Sequence, residues 1–209
     1  MPFLPRQYPV GPTSDIIECR VQWMETTGGK WTEPGLLNGG YFSHGRWLSG
    51  GDVVEVEVSF CYTLQVGWDV RRAFALVADV PLSAGHFPGL QRLDDLGDGI
   101  YRWNMQPLEF GKFAHQVRYS ARYVADAEAD TVVWDTVGAD GNTRADGSWR
   151  IKPLDGGAEL TFQNRLAVQL PIPRLMARPA RKVVPGIMDK QTRTYLTAIA
   201  QKMDGTLVA

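Results

Sequence analysis

From Asp52 onward apolar and polar positions alternate, with Val54, Val56, Val58, Phe60 and Tyr62 separated by Glu55, Glu57, Ser59 and Cys61. A period of two puts one set on each face of an extended chain, so this segment predicts a half-buried β-strand. After Gly67 the period changes. Asp69 stands where it can cap a short helix whose Val70, Phe74 and Val77 fall at i, i+4 and i+7 and which Pro81 ends; a second short helical piece covers residues 81–86. Strand-like runs follow at residues 90–96, 100–106, 115–125, 131–137, 144–153 and 158–170, punctuated by turn signals such as Gly97-Asp98-Gly99 and Gly156-Gly157. The last stretch, residues 173–203, aligns Met176, Ala180, Val183, Val184, Ile187, Tyr195 and Ile199 on one helical stripe. Pro179 and Pro185 lie inside it, and a kink or break is expected there because proline removes a helical hydrogen bond.

The order is strand, two short helices, six strands, long helix. A curved antiparallel sheet of about seven strands wrapped around the C-terminal helix is the simplest way to bury both, an α+β class. Residues 52–205 are assigned to this domain. Residues 1–51 show neither period; they are spaced by Pro2, Pro5, Pro9, Pro12 and Pro34 and by three Gly-Gly pairs, and read as an extension. Their Trp23, Trp31, Trp47, Tyr41 and Phe42 are aromatic-rich for a disordered tail, so part of the segment is expected to lie against the domain. The alternative is that the segment is no native folded part of the protein.

Alternation also marks the sheet's inward face. One phase carries Tyr101, Trp103 and Met105; His115, Val117, Tyr119, Ala121 and Tyr123; Trp149 and Ile151; Leu160, Phe162, Asn164, Leu166 and Val168. A pure core needs no His115, Tyr119, Tyr123 or Asn164, because each buried polar group costs about 1 to 3 kcal/mol unless it is hydrogen-bonded. On a concave wall they would orient a ligand within a mostly apolar lining. The plainer readings are a bulge satisfied by Asn164, a strand start in solvent at His115, and tyrosine hydroxyls reaching water. The candidate ligand-binding set is Tyr101, Trp103, Met105, His115, Val117, Tyr119, Tyr123, Trp149, Phe162, Asn164, Leu166, and, from the helix, Met176 and Val184.

The segment LTFQNRLAVQLPIPRLM at Leu160 to Met176, followed by a Tyr195-containing helix, resembles the START-like (SRPBCC) superfamily, in particular polyketide cyclase/dehydrase and lipid-transport proteins. FALVADV at Phe74 to Val80 is similar to that superfamily's first helix and GSWRIKPL at Gly147 to Leu154 to its penultimate strand. The resemblance covers about residues 52–205. It implies the helix-grip fold and a cavity for a hydrophobic small molecule such as a lipid, quinone or polyketide-like ring system. It leaves three functions open: a carrier or sensor, a cyclase or dehydratase in which His115 or a tyrosine serves as general acid/base, and a membrane-assembly or protein-interaction factor.

Other chemistry finds little support. No G-x-S-x-G, H-E-x-x-H, P-loop or strand-linked G-x-G-x-x-G occurs. His44, His86 and His115 are too scattered for a metal triad, and Asp94, Asp95 and Asp98 border Gly97 and Gly99, where carboxylates usually cap turns. No catalytic residue, metal or cofactor is therefore assigned. Cys19 and Cys61 belong to no metal or redox motif and are expected to be buried or incidental thiols. A net charge of -1 gives no footprint for nucleic acid. Without an apolar run of spanning length or a secretory signal, the chain is expected in the cytoplasm. Residues 173–204 are locally basic, with Arg174, Arg178, Arg181, Lys182, Lys190, Arg193 and Lys202 against Asp189 and Asp204. Peripheral docking on anionic lipid headgroups is the functional reading, and the solvated outer face of a helix is the commoner one.

Overall fold

The computed structural model describes residues 41–43, 46–48, 53–110 and 113–208. All of these belong to one unit, Gly39–Ala209. Within the expected extension a short hairpin pairs β1 (Tyr41–Ser43) with β2 (Arg46–Leu48). The rest of residues 1–51, Cys19 and His44 included, lies outside the described residues. Alternation beginning at Val54 persists through β3 (Val54–Val66), which buries Val54, Val56, Val58, Phe60, Tyr62, Leu64 and Val66 on one face. Cys61 points to the other face and is not a free thiol, which corrects the expectation of a buried or incidental one.

Asp69 caps α1 (Val70–Ala78) by accepting the Arg72 N–H at 3.0 Å. The helix stops at Asp79, before Pro81. Asp79 accepts the Leu82 N–H at 3.0 Å and so starts α2 (Val80–Ala84). Pro81 falls in the first turn of α2, where a missing N–H breaks no helical bond. Next come β4 (Leu90–Asp95) and β5 (Ile100–Met105), then a second small hairpin of β6 (Leu108–Phe110) and β7 (Phe113–His115). The run expected as one strand over 115–125 is therefore broken. His115 ends β7, and β8 (Arg118–Asp126) starts afresh after Gln116 and Val117. Side chains satisfy the groups freed by the break: Asn142 donates to the Gln116 carbonyl at 2.7 Å, and the Gln116 amide to the Met105 carbonyl at 2.9 Å.

The sheet continues through β9 (Thr131–Thr136), β10 (Thr143–Leu154) and β11 (Gly157–Leu170); after a 3-10 turn at Arg174–Met176 come α3 (Ala177–Lys202) and β12 (Thr206–Val208). The strand order of this curved sheet is β12-β3-β11-β10-β9-β8-β5-β4, every pair antiparallel. The seven expected strands are present, and the short β12 makes an eighth.

Helix α3 lays Ala180, Val184, Met188, Thr192, Tyr195, Leu196, Ile199 and Ala200 into the core. Val183, assigned to this stripe from the sequence, is instead exposed, since the buried row runs through its neighbour Val184. The expected break does not occur: α3 is one helix from Ala177 to Lys202. Pro179 sits in the first turn, where no intrahelical donor is needed. Pro185 costs about 3 kcal/mol in an unsupported helix, and here buried Val184 and Met188 hold it on the core. A clamp fixes the middle of α3 to β3: Tyr62 donates to Asp189, Arg193 bonds Asp189 at 3.0 Å, and its guanidinium lies 4.7 Å from the Tyr62 ring centre. Burial first, then the Asp189 carboxylate, pushes the Tyr62 pKa up to about 12.

Candidate functional site: two chambers under the long helix

The inward phase of β5, β8, β9, β10 and β11 converges with α2 and α3 on a chamber of about 50 Å³. Its wall is a nearly continuous circuit of rings. Tyr119 stacks on Trp103 at 5.9 Å, Phe87 meets Trp103 edge-on at 6.0 Å, and Tyr195 lies 5.3 Å from Phe87. The circuit continues from Tyr195 to Phe162 at 6.2 Å, Trp134 at 5.7 Å and Tyr123 at 5.6 Å, with Trp149 4.8 Å from Phe162. Edge and offset contacts of this kind contribute about 0.5 to 1.5 kcal/mol each beyond burial, so the wall is stiff.

Gly147 makes part of this wall possible. It faces Trp134 on β9 and Asn164 on β11 in the ladder, and a Cβ there would lie 2.4 Å from the Trp134 ring. With no side chain in the way, the indole crosses β10 and donates to Asn164 Oδ1 at 3.3 Å. Asn164 thus satisfies an indole and no bulge.

The chamber's polar atoms are few. Ser83 on α2 and Tyr195 on α3, both buried, share a hydrogen bond of 2.6 Å. Tyr119 and Tyr123 retain some accessible surface yet lie deep enough that burial raises both hydroxyl pKa values well above 10. Burial likewise pushes Tyr195 up to about 12, opposed by its hydrogen bond to Ser83 and by the nearby Trp149 indole. All three stay protonated at neutral pH, and each can donate an O–H. The Trp103 Nε1–H is buried with no acceptor in hydrogen-bond geometry, although the Tyr123 hydroxyl is near enough to feel it. Among the described residues the lining contains no carboxylate, histidine, lysine or arginine.

A second chamber of about 40 Å³ follows along the same sheet and helix, lined by Leu108, Glu109, His115, Val168, Leu170, Ile172, Val184, Ile187 and Met188. His115 Nε2 is buried in it without a partner, and burial lowers the His115 pKa, favouring neutral imidazole.

Of the residues expected at a ligand site, Trp103, Tyr119, Tyr123, Trp149, Phe162 and Asn164 meet in the ring-walled chamber, and His115 and Val184 in the aliphatic one. Met105 and Leu166, on strands, and Val117, in the link between β7 and β8, are buried and line neither. Tyr101 packs edge-on against Tyr123, and Met176 lies against the core outside both chambers. The sequence reading missed Val77, Val80, Ser83, Ala84 and Phe87, which come from helices and a loop where strand alternation carries no signal. Trp134 was findable from its alternation with Val132, and Tyr195 from its place on the helical stripe. The acidic run serves its turn: Asp95 accepts the Gly97 N–H at 2.8 Å and Asp94 pairs with Arg92 at 2.8 Å.

The basic residues of α3 mostly face water. Arg178, Arg181 and Lys182 are exposed, and Leu175, just before the helix, is 90% exposed. Among the described residues no helix is long and apolar enough to cross a membrane.

No protein-family model matches the sequence, and no curated protein is significantly similar to it. Solved structures are similar in fold. A conserved protein from Geobacillus kaustophilus aligns at a TM-score of 0.53 with 13% identity, covering 70% of this chain and 95% of its own. A protein from Thermus thermophilus aligns at 0.51 with 16% identity, covering 71% and 96%. The Zhui aromatase/cyclase from a Streptomyces species aligns at 0.50 with 14% identity, covering 73% and 94%. At such identities the likeness is one of fold, and the chain has the helix-grip fold of START-like proteins.

Proposed function

We propose that this protein binds a small hydrophobic molecule bearing an oxygenated ring, in the ring-walled chamber between the sheet and α3. The observation that supports this most is the pairing of an aromatic wall with a buried donor, Trp103 Nε1–H, that the protein leaves unsatisfied. Leaving such a group unpaired costs about 1 to 3 kcal/mol, and a ligand oxygen would remove that cost. Tyr119 and Tyr123, held protonated by burial, supply further donors. Binding requires the chamber to widen, since about 50 Å³ holds little more than a water molecule. Transport or sensing of such a molecule is the role that fits a site without a base. In a dehydratase, or in a cyclase, the activity named for the Streptomyces neighbour, these tyrosines would serve as acids, and the base would have to come from elsewhere.

The exposed Leu175 among Arg174, Arg178, Arg181 and Lys182 supports peripheral contact with anionic lipid as the route by which an apolar ligand is exchanged. The test of the binding reading uses Trp103, Trp134 and Trp149 as built-in reporters. Titration of the full chain with para-ethylphenol should change their fluorescence saturably, and Ala84→Phe, which fills the chamber from α2, should abolish the change while circular dichroism stays native. A signal that is absent, or that survives Ala84→Phe, removes the ring-walled chamber as the site.

A further inference from the structure

Among the described residues two buried side-chain polar atoms lack any partner, Trp103 Nε1 and His115 Nε2. Each lies in a different chamber. Buried polar groups are nearly always satisfied, so two orphans placed one per cavity call for a common explanation. We infer that the chambers are the two ends of one site for an elongated ligand: an oxygen-bearing ring against Trp103, an aliphatic chain running beneath α3, and a hydroxyl at the far end of the chain on His115. This inference rests on the ring-walled chamber being a ligand site.

The chemistry of each end follows from its lining. Trp103 Nε1 only donates, so the ring must present an acceptor oxygen. Among the described residues the second chamber offers no ring but the His115 imidazole: Val168, Leu170, Ile172, Val184, Ile187 and Met188 are aliphatic or thioether, the surroundings of a hydrocarbon chain. Neutral imidazole presents either N–H or a lone pair at Nε2 according to tautomer, and a hydroxyl satisfies both. Glu109, on the facing strand β6, is the other polar side chain lining this chamber, and it is exposed.

The spacing fits one molecule. Met188 lines the second chamber and Tyr195 the first, seven residues apart on α3, hence about 10 Å. Between them the sheet side presents Leu166 and the helix side Thr192, both buried. On β11 Leu166 falls between Asn164 and Val168, and on α3 Thr192 falls between Met188 and Tyr195, so the positions between the chambers carry side chains that rotamer changes can move.

The experiment compares three probes by tryptophan fluorescence titration of the full chain: para-ethylphenol, para-octylphenol, and the octyl compound carrying a terminal hydroxyl. The octyl chain should tighten binding at least about tenfold over ethyl, because it buries additional methylenes. The terminal hydroxyl should bind as tightly as the plain octyl compound or more so, although burying an unpaired hydroxyl would weaken it. His115→Leu should weaken the hydroxylated probe about tenfold, the order expected of a hydrogen bond deleted inside an apolar site, while para-ethylphenol, which reaches only the ring-walled chamber, is unchanged and the plain octyl compound is not weakened. His115→Gln, which keeps a polar nitrogen at the end of the side chain, should recover most of that loss. If para-ethylphenol binds and the octyl chain adds nothing, or if His115→Leu weakens all three equally, the two-ended site is wrong and the ring-walled site stands. If none of the probes binds, both readings fall.

Discussion

The hydrogen bond between Ser83 and Tyr195 is the tie by which α2 holds α3 across the ring-walled chamber, and a double-mutant cycle measures it. Both side chains are buried, 5% and 6% exposed, and their oxygens are 2.6 Å apart. Ser83→Ala removes one hydroxyl and leaves the buried Tyr195 O–H without its hydrogen-bond partner, so a loss of about 1 to 2 kcal/mol is expected. Tyr195→Phe removes the other oxygen and orphans Ser83 Oγ, so about 1 to 2 kcal/mol is expected. The double variant orphans neither partner, and its loss should be no greater than that of either single variant. The coupling is then at least about 1 kcal/mol, well outside the scatter seen for independent sites. Urea unfolding of the full chain followed by tryptophan fluorescence gives all four stabilities, with an unchanged slope showing that only stability moved. Losses that add to within about 0.5 kcal/mol would mean the two hydroxyls do not support one another.

Gly147→Ala should destabilise by about 1 to 3 kcal/mol through overpacking and shift the tryptophan emission, because its Cβ would fall 2.4 Å from the Trp134 ring and 2.3 Å from the Gln163 carbonyl; an unchanged spectrum and stability would contradict the crossing of β10 by that indole. His115 is held below its ordinary pKa by burial, so on acidification the unfolded chain takes up this proton first. Its contribution makes stability fall as pH drops below about 6.5 and level off below the folded-state pKa, and His115→Leu should flatten that part of the urea-midpoint profile. A slope unaltered by the substitution would show that His115 is not buried in solution; Glu109, the other titratable group in the chamber, is left intact by the comparison. The protein should co-sediment with phosphatidylserine-containing vesicles and not with neutral ones, and Leu175→Glu should reduce the bound fraction severalfold; equal binding by wild type and variant would exclude the Leu175 surface from lipid contact.

Much of the fold was legible because its signals are local. Alternation in β3 and in Ala158 to Leu170 needs only the preference of apolar side chains for one face, and the Asp69 cap needs only a carboxylate three residues before an amide hydrogen. Where the reading failed, the deciding partner lay far along the chain. The break after His115 is satisfied by the side chain of Asn142. The unbroken α3 relies on core contacts around Pro185, and Asp79 outcompeted Pro81 as a helix boundary because it serves two helices at once.

The sequence by itself determined the class of the fold, the inward face of the sheet and the aromatic and polar residues on that face, since periodicity records which side of a strand is kept from water. Only the tertiary structure decided that these residues divide between two chambers, that Trp134, Ser83, Phe87 and Tyr195 complete the first, and that His115 stands apart in the second. Period states which face a residue takes and says nothing of which residue from another element meets it there; that depends on ladder register, on the seat of α3 and on the missing side chain at Gly147, all of which are set by long-range packing.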